Sequence, residues 1–191
     1  MAGWLKRPNL ILLLIAVFAV AAVAVNFFYR QHLEGKPQAS SESGTSASAV
    51  LGQSRPAFAL PDALGLSRDV SEWDGQVLVV NFWATWCQPC VREIPAFVEL
   101  QGQYAGQGVR FVGIALDTLP QVQAFFDRLG LEPNYPNLIG GTNAIAVAEA
   151  YGNNIGILPY TVLVDRSGKI AYAQYGELTR DSAEQMILEL L

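Results

Sequence analysis

The sequence of 191 residues predicts one α/β domain, residues 57–191, preceded by an N-terminal accessory segment. A chain of this length normally builds a single hydrophobic core. The continuous apolar run at 77–83 is typical of a strand that is buried on both faces of a sheet, and a second buried strand is predicted at 109–117. A stretch with helical periodicity follows each predicted strand, and strands that alternate with helices indicate the α/β class.

The N-terminal part predicts a membrane anchor. Residues 10–29 form an apolar run that is broken only by Asn26, and a helix of that length spans roughly 30 Å. The alternative is a cleaved signal peptide, but its apolar stretch should be only about 7 to 15 residues long. We therefore expect a retained single-pass helix at 10–29 after a short tail at 1–9.

The composition changes at residues 30–56, which are rich in Ser, Ala, Gly, Glu and Gln. Such a segment buries too little apolar surface to offset the entropy of ordering it, so we expect a flexible tether. Residues 57–191 carry seven basic and fifteen acidic side chains, a net charge of −8. This charge disfavours binding to a nucleic acid backbone.

Within the domain, the expected elements follow one another in the α/β manner. A helix runs to about Tyr104 after the first strand, and a second helix, which contains "QVQAFFDRLG", ends at Gly130. A short strand near 138–139, a helix near 142–151 and a hairpin that turns at 167–168 come next. The last helix has capping-box spacing between Asp181 and Glu184.

The stretch "WCQPC" at 86–90 contains both cysteines of the chain. Cys87 should lie at the N-terminus of a helix, where unpaired backbone N–H groups and the helix dipole favour the thiolate. Pro89 suits the first helical turn, which needs no intrahelical N–H donor. Cys90, one turn further on, could attack a mixed disulfide formed at Cys87. The spacing therefore predicts dithiol–disulfide exchange.

Three other interpretations of the cysteine pair are weaker. A structural zinc site needs four ligands, yet there is no second cysteine pair and the only histidine, His32, lies in the tether. A purely structural disulfide across two residues closes almost no loop and stabilises little. A copper carrier would normally add a histidine within the domain.

Glu93 is a candidate for proton transfer. Helical spacing places Ile94 and Phe97 on the apolar face with Cys90, and Glu93 falls on the buried side. A buried carboxylate there would have a raised pKa and lie one turn from Cys90. The alternative is an acidic residue that simply favours a first helical turn. Pro95 predicts a kink in this helix.

The stretches "VVNFWATWCQPC", "REIP" and "LPYTVLVDRSGKI" resemble the membrane-anchored thioredoxin-like proteins of the TlpA and ResA type. The resemblance covers about residues 57–191. It implies the thioredoxin fold, a central mixed sheet flanked by helices, with a central βα-type insertion at 118–141. It also implies an extracytoplasmic domain and an acidic residue at the position of Glu93.

The same resemblance implies a cis peptide bond at Leu158-Pro159 that faces the cysteines, with the preceding residue pairing its backbone with a substrate peptide. We expect Trp86 to be a partly exposed docking residue and Trp83 to be a core residue. The expected catalytic residues are Cys87, Cys90 and Glu93, and the expected substrate-binding residues are Trp86, Gln88, Pro89, Leu158, Pro159 and Tyr160.

Two positions depart from related families. Thioredoxins themselves carry a buried aspartate where this chain has Asn81, so Glu93 is the expected substitute for that proton path. Reductases of the CcmG kind, which serve cytochrome c maturation, carry an acidic residue after the cis proline, whereas Tyr160 stands here.

The sequence thus predicts a thiol-disulfide oxidoreductase in the cytoplasmic membrane, with its N-terminus cytoplasmic and its catalytic domain periplasmic. We expect no cofactor beyond the redox-active disulfide and no metal. Expected partners are disulfide-containing proteins and a membrane electron donor, in a setting such as cytochrome c or metalloprotein maturation. A thiol peroxidase of the same fold and a non-enzymatic metal-delivery module remain alternatives.

Overall fold

The structure, a computed structural model, describes residues 24–26, 45–131 and 133–191. The chain divides into two units, 1–42 and 43–191. In the first unit, residues 24–26 are helical, and the rest of the expected anchor at 10–29 lies outside the described residues, as do residues 1–9 and 30–44. Within the described parts of the chain, no helix is both long and apolar enough to cross a bilayer.

A five-stranded mixed sheet forms the centre of the second unit. Its strands stand in the order β5-β4-β3-β6-β7, and their bounds are β3 Val77–Trp83, β4 Val109–Ala115, β5 Asn137–Ile139, β6 Tyr160–Val164 and β7 Ile170–Tyr175. β3 pairs in parallel with β4 and antiparallel with β6. Every residue of β3 is buried, which explains its continuous apolar run.

Helices cover both faces of this sheet. In chain order they are α1 Thr45–Ala49, α2 Gln88–Tyr104, α3 Leu119–Leu129, α4 Asn143–Ala150 and α5 Arg180–Leu188. Short 3-10 helices lie at Val70–Trp73 and Ala105–Gln107. A separate antiparallel hairpin, β1 Ala59–Pro61 and β2 Ser67–Asp69, precedes the sheet. This hairpin is not predicted by the sequence pattern, because each strand has only three residues.

The side chains of β3 alternate between the two faces of the sheet, and each face has its own hydrophobic core. Leu78, Val80 and Phe82 pack in one cluster with Tyr160 and Val162 of β6. The intervening residues of β3 point to the opposite face, where α2 and α5 pack. Asn81 is one of them, and it is therefore buried beneath α2.

The folded unit begins earlier than the sequence predicted, so the expected tether at 30–56 is too long at its C-terminal end. Gly52 N–H donates to Ile170 O, Arg55 N–H donates to Gly168 O, and Tyr151 Oη donates to Pro56 O. Ala47 of α1 is buried in the core. This segment is polar in composition, but pairing with the hairpin of β6 and β7 satisfies its backbone groups.

Two element ends also differ from expectation. β4 stops at Ala115 rather than at Asp117, because its pairing with both neighbouring strands, β3 and β5, ends at Ala115. α5 is capped by Thr179, whose hydroxyl accepts from Ser182 N, and not by Asp181. Glu184 binds Arg180, four residues before it, so the expected capping box is wrong.

The central insertion at 118–141 contains α3 and β5, as expected. α3 ends at Gly130, which adopts the left-handed conformation that glycine tolerates best (φ 57°). β5 then pairs in parallel with β4 at the edge of the sheet. The insertion therefore extends the sheet on the side away from β6 and β7.

Candidate active site

The two cysteines lie where a buried strand gives way to a helix. β3 ends at Trp83, and Cys87 is the N-cap of α2. Cys87 and Cys90 form a disulfide, with their Cα atoms 5.3 Å apart. Cys87 is 6% exposed, whereas Cys90 is fully buried. Cys87 is therefore the sulfur that an external partner reaches first.

The start of α2 stabilises negative charge at Cys87. Its Sγ accepts a hydrogen bond from Cys90 N at 3.3 Å, which is the position of an N-cap acceptor. Pro89 occupies the first turn, as expected. When the disulfide is reduced, the same N–H group and the helix dipole favour the thiolate of Cys87.

A second loop completes the site. The Leu158-Pro159 peptide bond is cis, as the resemblance implied. Leu158 packs against the cluster that contains Cys87 and Cys90. The buried side chain of Asn153 holds this loop by accepting from Ile157 N at 3.2 Å and donating to Ile157 O at 2.9 Å. Sequence reasoning missed Asn153, because nothing local to its position indicates this pair of hydrogen bonds.

The surface around Cys87 is uncharged and partly apolar. Trp86 is 65% exposed and Trp83 is buried, which are the exposures that the sequence predicted. Gln88 is exposed and Pro89 is half-buried. Ile157, beside Leu158, is 46% exposed. Neither 84–91 nor 151–160 contains a charged residue.

Tyr160 does not belong to this surface. Its side chain is fully buried, packs against Phe82 in the core on the other face of the sheet, and donates to Tyr151 O at 2.8 Å. Alternation along β6 explains this placement, because successive residues of a strand point to opposite faces. The expectation that Tyr160 contacts a substrate is thus not supported by its side chain.

Glu93 is buried on α2, three residues after Cys90. Burial raises its pKa to about 7, and the nearby charge of Glu177 also raises it. Two hydrogen bonds oppose these effects: Oε2 accepts from Leu178 N at 3.0 Å and Oε1 accepts from Asn81 Nδ2 at 2.8 Å. The carboxyl group can therefore change its charge near neutral pH.

Two further polar residues lie behind Glu93. Asn81 Nδ2 also donates to Thr161 Oγ1 at 2.9 Å, and both side chains are buried. Sequence reasoning noted Asn81 only as a departure from thioredoxins, and it missed Thr161 entirely. The sequence offers one signal, since both are polar residues inside otherwise apolar strands.

The turn between β3 and α2 is held by a carboxylate that sequence reasoning also missed. Asp117 Oδ2 accepts from Thr85 N at 2.6 Å, and Asp117 is buried. Cys87 N donates to Ala84 O within the same turn. These contacts fix the backbone that carries Trp86 and Cys87.

A cavity of about 760 Å³ lies elsewhere, between α3, residues 130–131 and 133–137, and the turn of the β1–β2 hairpin. None of the expected catalytic or substrate-binding residues lines it. In the part of the chain that the structure describes, no group of three or more His, Cys, Asp or Glu side chains is arranged to hold a metal ion.

Comparison with known proteins assigns this arrangement of fold and cysteines to a family. The family described as Redoxin matches residues 51–187, which is most of the chain. The chain belongs to the Redoxin family. Its matched region includes α2, the cis-proline loop and all five strands of the sheet.

Named relatives agree with this assignment. The chain is 34% identical over 137 residues to the thiol-disulfide oxidoreductase ResA of Geobacillus thermodenitrificans, covering 71% of this chain and 75% of that protein. It is 32% identical over 179 residues to ResA of Halalkalibacterium halodurans, covering 93% and 90%. This redoxin is therefore a thiol-disulfide oxidoreductase of the TlpA and ResA kind.

A solved structure confirms the fold. A thiol:disulfide interchange protein of the thioredoxin family from Chlorobium tepidum is similar, with a TM-score of 0.63 and 28% sequence identity. The match covers 72% of this chain and 94% of that one. The second unit thus has the thioredoxin fold that the sequence predicted.

Proposed function

We propose that this redoxin reduces disulfide bonds in selected partner proteins outside the cytoplasm, while tethered to the cytoplasmic membrane. The observation that carries the proposal is the unequal burial of the two disulfide-bonded cysteines at the start of α2, where Cys87 is 6% exposed and Cys90 is fully buried. One sulfur can meet a substrate, and the other is held behind it. This is the arrangement that a reductase needs for attack followed by resolution.

The reaction proceeds in two exchanges. The thiolate of reduced Cys87 attacks a substrate disulfide, forms a mixed disulfide and releases one substrate thiolate, which takes up a proton. Cys90 then loses its proton and attacks Sγ of Cys87, which releases the second substrate thiol. Two electrons pass to the substrate, and the enzyme is left with the Cys87–Cys90 disulfide. Glu93, one turn from Cys90, is the candidate acceptor of the Cys90 proton.

The surface at the site supports a protein substrate. Trp86, next to Cys87 in the chain, and Ile157, next to Leu158, offer exposed apolar area, and the half-buried Leu158 packs against the cysteine cluster. The absence of charge in 84–91 and 151–160 suits an uncharged segment around the target disulfide. Trp86, Gln88, Pro89 and the backbone of Leu158 form the proposed docking surface.

The membrane placement rests on the sequence. The apolar run at 10–29 supports a single anchor, and oxidised cysteines are stable outside the reducing cytoplasm. The N-terminus would then be cytoplasmic and the catalytic domain periplasmic. A membrane electron donor would return two electrons to the Cys87–Cys90 disulfide after each cycle.

Cytochrome c or metalloprotein maturation is the setting that we propose for these substrates. The resemblance to the TlpA and ResA type supports it. Metal- and haem-binding cysteines must be reduced before they can act as ligands, and an extracytoplasmic compartment would otherwise oxidise them.

Two serine variants test the assignment of the cysteines. Cys90→Ser should accumulate a mixed disulfide with an oxidised test peptide, because the resolving thiol is gone. Cys87→Ser should form no such adduct and should abolish reduction of the peptide. Mass spectrometry of both full-length variants after incubation with the peptide measures these outcomes.

Wild-type protein treated in the same way supplies the control, since it should release reduced peptide without a lasting adduct. Substantial exchange by Cys87→Ser, or an adduct on Cys90 of that variant at the wild-type rate, would contradict the proposed roles.

A further inference from the structure

The side chain of Asn81 occupies a central position beneath the active-site helix. It lies on β3, the middle strand of the sheet, and bonds to Glu93 of α2 and to Thr161 of β6. All three side chains are buried. A buried polar group costs free energy unless it is hydrogen-bonded, so this group of side chains must stay bonded while Glu93 changes its charge.

An amide can meet that demand. In the structure, both N–H groups of the Asn81 amide donate hydrogen bonds, one to Glu93 Oε1 and one to Thr161 Oγ1. This arrangement suits the carboxylate form of Glu93. If Glu93 is protonated, rotation of the amide about its Cβ–Cγ bond presents Oδ1 as an acceptor for the carboxyl O–H, and the Thr161 hydroxyl can donate or accept.

The other oxygen of Glu93 has a fixed partner. Leu178 N–H can only donate, and it holds Oε2 at 3.0 Å. Oε2 of Glu93 thus keeps the same hydrogen-bond donor in both protonation states, whereas Oε1 can either accept from or donate to the Asn81 amide. An aspartate at position 81 would lack this property, because two carboxyl groups so close together would compete for one proton.

We propose that Asn81 is a positioning residue that, together with Thr161, keeps Glu93 in one orientation in both of its protonation states during exchange at the cysteines. The inference rests on the proposed function, in which Glu93 accepts the proton of Cys90. The inference adds Asn81 as the residue that allows the buried carboxyl group of Glu93 both to take up and to release a proton.

Other groups that face Glu93 are accounted for. Glu177, from the loop before α5, adds a negative charge near Glu93, and Arg92 of α2 binds Glu177. Tyr135, from the loop before β5, is close enough that the charge of Glu93 raises its pKa. Within the part of the chain that the structure describes, Oε1 of Glu93 bonds to Asn81 and to none of these groups, so the Asn81 amide is the contact to change.

The test compares Asn81→Leu with Thr161→Val in the full-length protein. Leucine is close in size to asparagine and cannot donate, so the carboxylate of Glu93 loses a hydrogen bond. The pH midpoint of exchange with an oxidised peptide should then rise by roughly one unit or more. Thr161→Val should shift the midpoint in the same direction by a smaller amount, and it serves if Asn81→Leu fails to fold.

A matched control removes a different buried amide. Gln101 lies on α2, and its side-chain hydrogen bonds within the described residues go to backbone groups of β4, Val109 O and Phe111 N. Gln101→Leu should lower stability without moving the pH midpoint. In a Glu93→Gln background, Asn81→Leu should change the exchange rate less than twofold at every pH, because no titrating group remains for it to position.

The pH dependence of unfolding supplies a readout that does not need activity. Asn81→Leu should move the pH range over which Glu93 affects stability upward by the same amount as the exchange midpoint. Unchanged midpoints in both Asn81→Leu and Thr161→Val, or the same shifts in the Glu93→Gln background, would overturn the inference. Failure of the wild type to exchange at all would overturn the proposed function, while the unfolding readout would still test Asn81.

Discussion

At the scale of single residues, the site depends on a buried carboxyl group that is neither fully neutral nor fully charged at neutral pH. Burial raises the pKa of Glu93 to about 7, while Leu178 N–H and the Asn81 amide favour the charged form. A general base works best when its pKa is close to the working pH. Glu93 meets that condition.

This pKa predicts a pH-dependent stability. The folded-state pKa lies above the unfolded-state value of about 4.5, so folded protein binds the proton more tightly. The favourable contribution is complete below about pH 4.5 and is lost as the pH rises through about 7. Relative to Glu93→Gln, the wild type should lose on the order of 3 kcal/mol of unfolding free energy between pH 4 and pH 8.

Denaturant titrations of the oxidised wild type and of Glu93→Gln at several pH values measure this difference. Because glutamine has nearly the same shape, the variant should fold and differ chiefly in its pH dependence. Parallel stability curves for the two proteins would show that Glu93 does not titrate in this range.

At the scale of elements, adjacent residues of α2 are joined to adjacent residues of the loop before α5. Arg92 Nε donates to Glu177 Oε2 at 2.9 Å, and Glu93 accepts from Leu178 N. The outer pair is exposed and the inner pair is buried. An exposed ion pair contributes only about 0 to 1 kcal/mol to stability, so its larger effect should be on the charge near Glu93.

Single substitutions in this ion pair should therefore shift the pKa of Glu93 in opposite directions. Glu177→Gln removes a negative charge that raises the pKa of Glu93, so the pKa should fall. Arg92→Gln leaves Glu177 without its cation, so the pKa should rise. Unfolding measured across pH 4 to 8, at low and high salt, reports both shifts, and high salt should reduce them.

Each variant acts as the control for the other, since both break the same ion pair. Shifts in the same direction would mean that the pair acts by placing Leu178 N–H rather than through its charges.

At the scale of the whole molecule, the sequence predicted what depends on local patterns. The continuous run at 77–83 predicted β3 with its observed bounds, and the two-residue spacing of Cys87 and Cys90 predicted their place at the start of α2. Helical spacing placed Glu93 on the buried face. These features follow from periodicity and from the demands of a helix terminus.

Contacts between distant parts of the chain could not be predicted in this way. Asn81 and Thr161 are 80 residues apart, and only the antiparallel pairing of β3 with β6 brings them together. The polar segment at 45–56 looked like a tether because its stabilising partners lie beyond residue 150. The N-cap of α5 is Thr179 and not the expected Asp181, because Glu184 binds Arg180 and Tyr104 instead of completing a capping box.

The measurement that tests the central claim most directly is the reduction potential of the Cys87–Cys90 disulfide. Full-length protein would be equilibrated in thiol buffers of known potential, and its free cysteines would then be trapped and counted. We expect a value near that of thioredoxin, about −270 mV, or lower, which would mark a protein that gives electrons to other disulfides. A value near about −120 mV would mark an oxidant that introduces disulfides, and it would contradict the proposed direction of exchange.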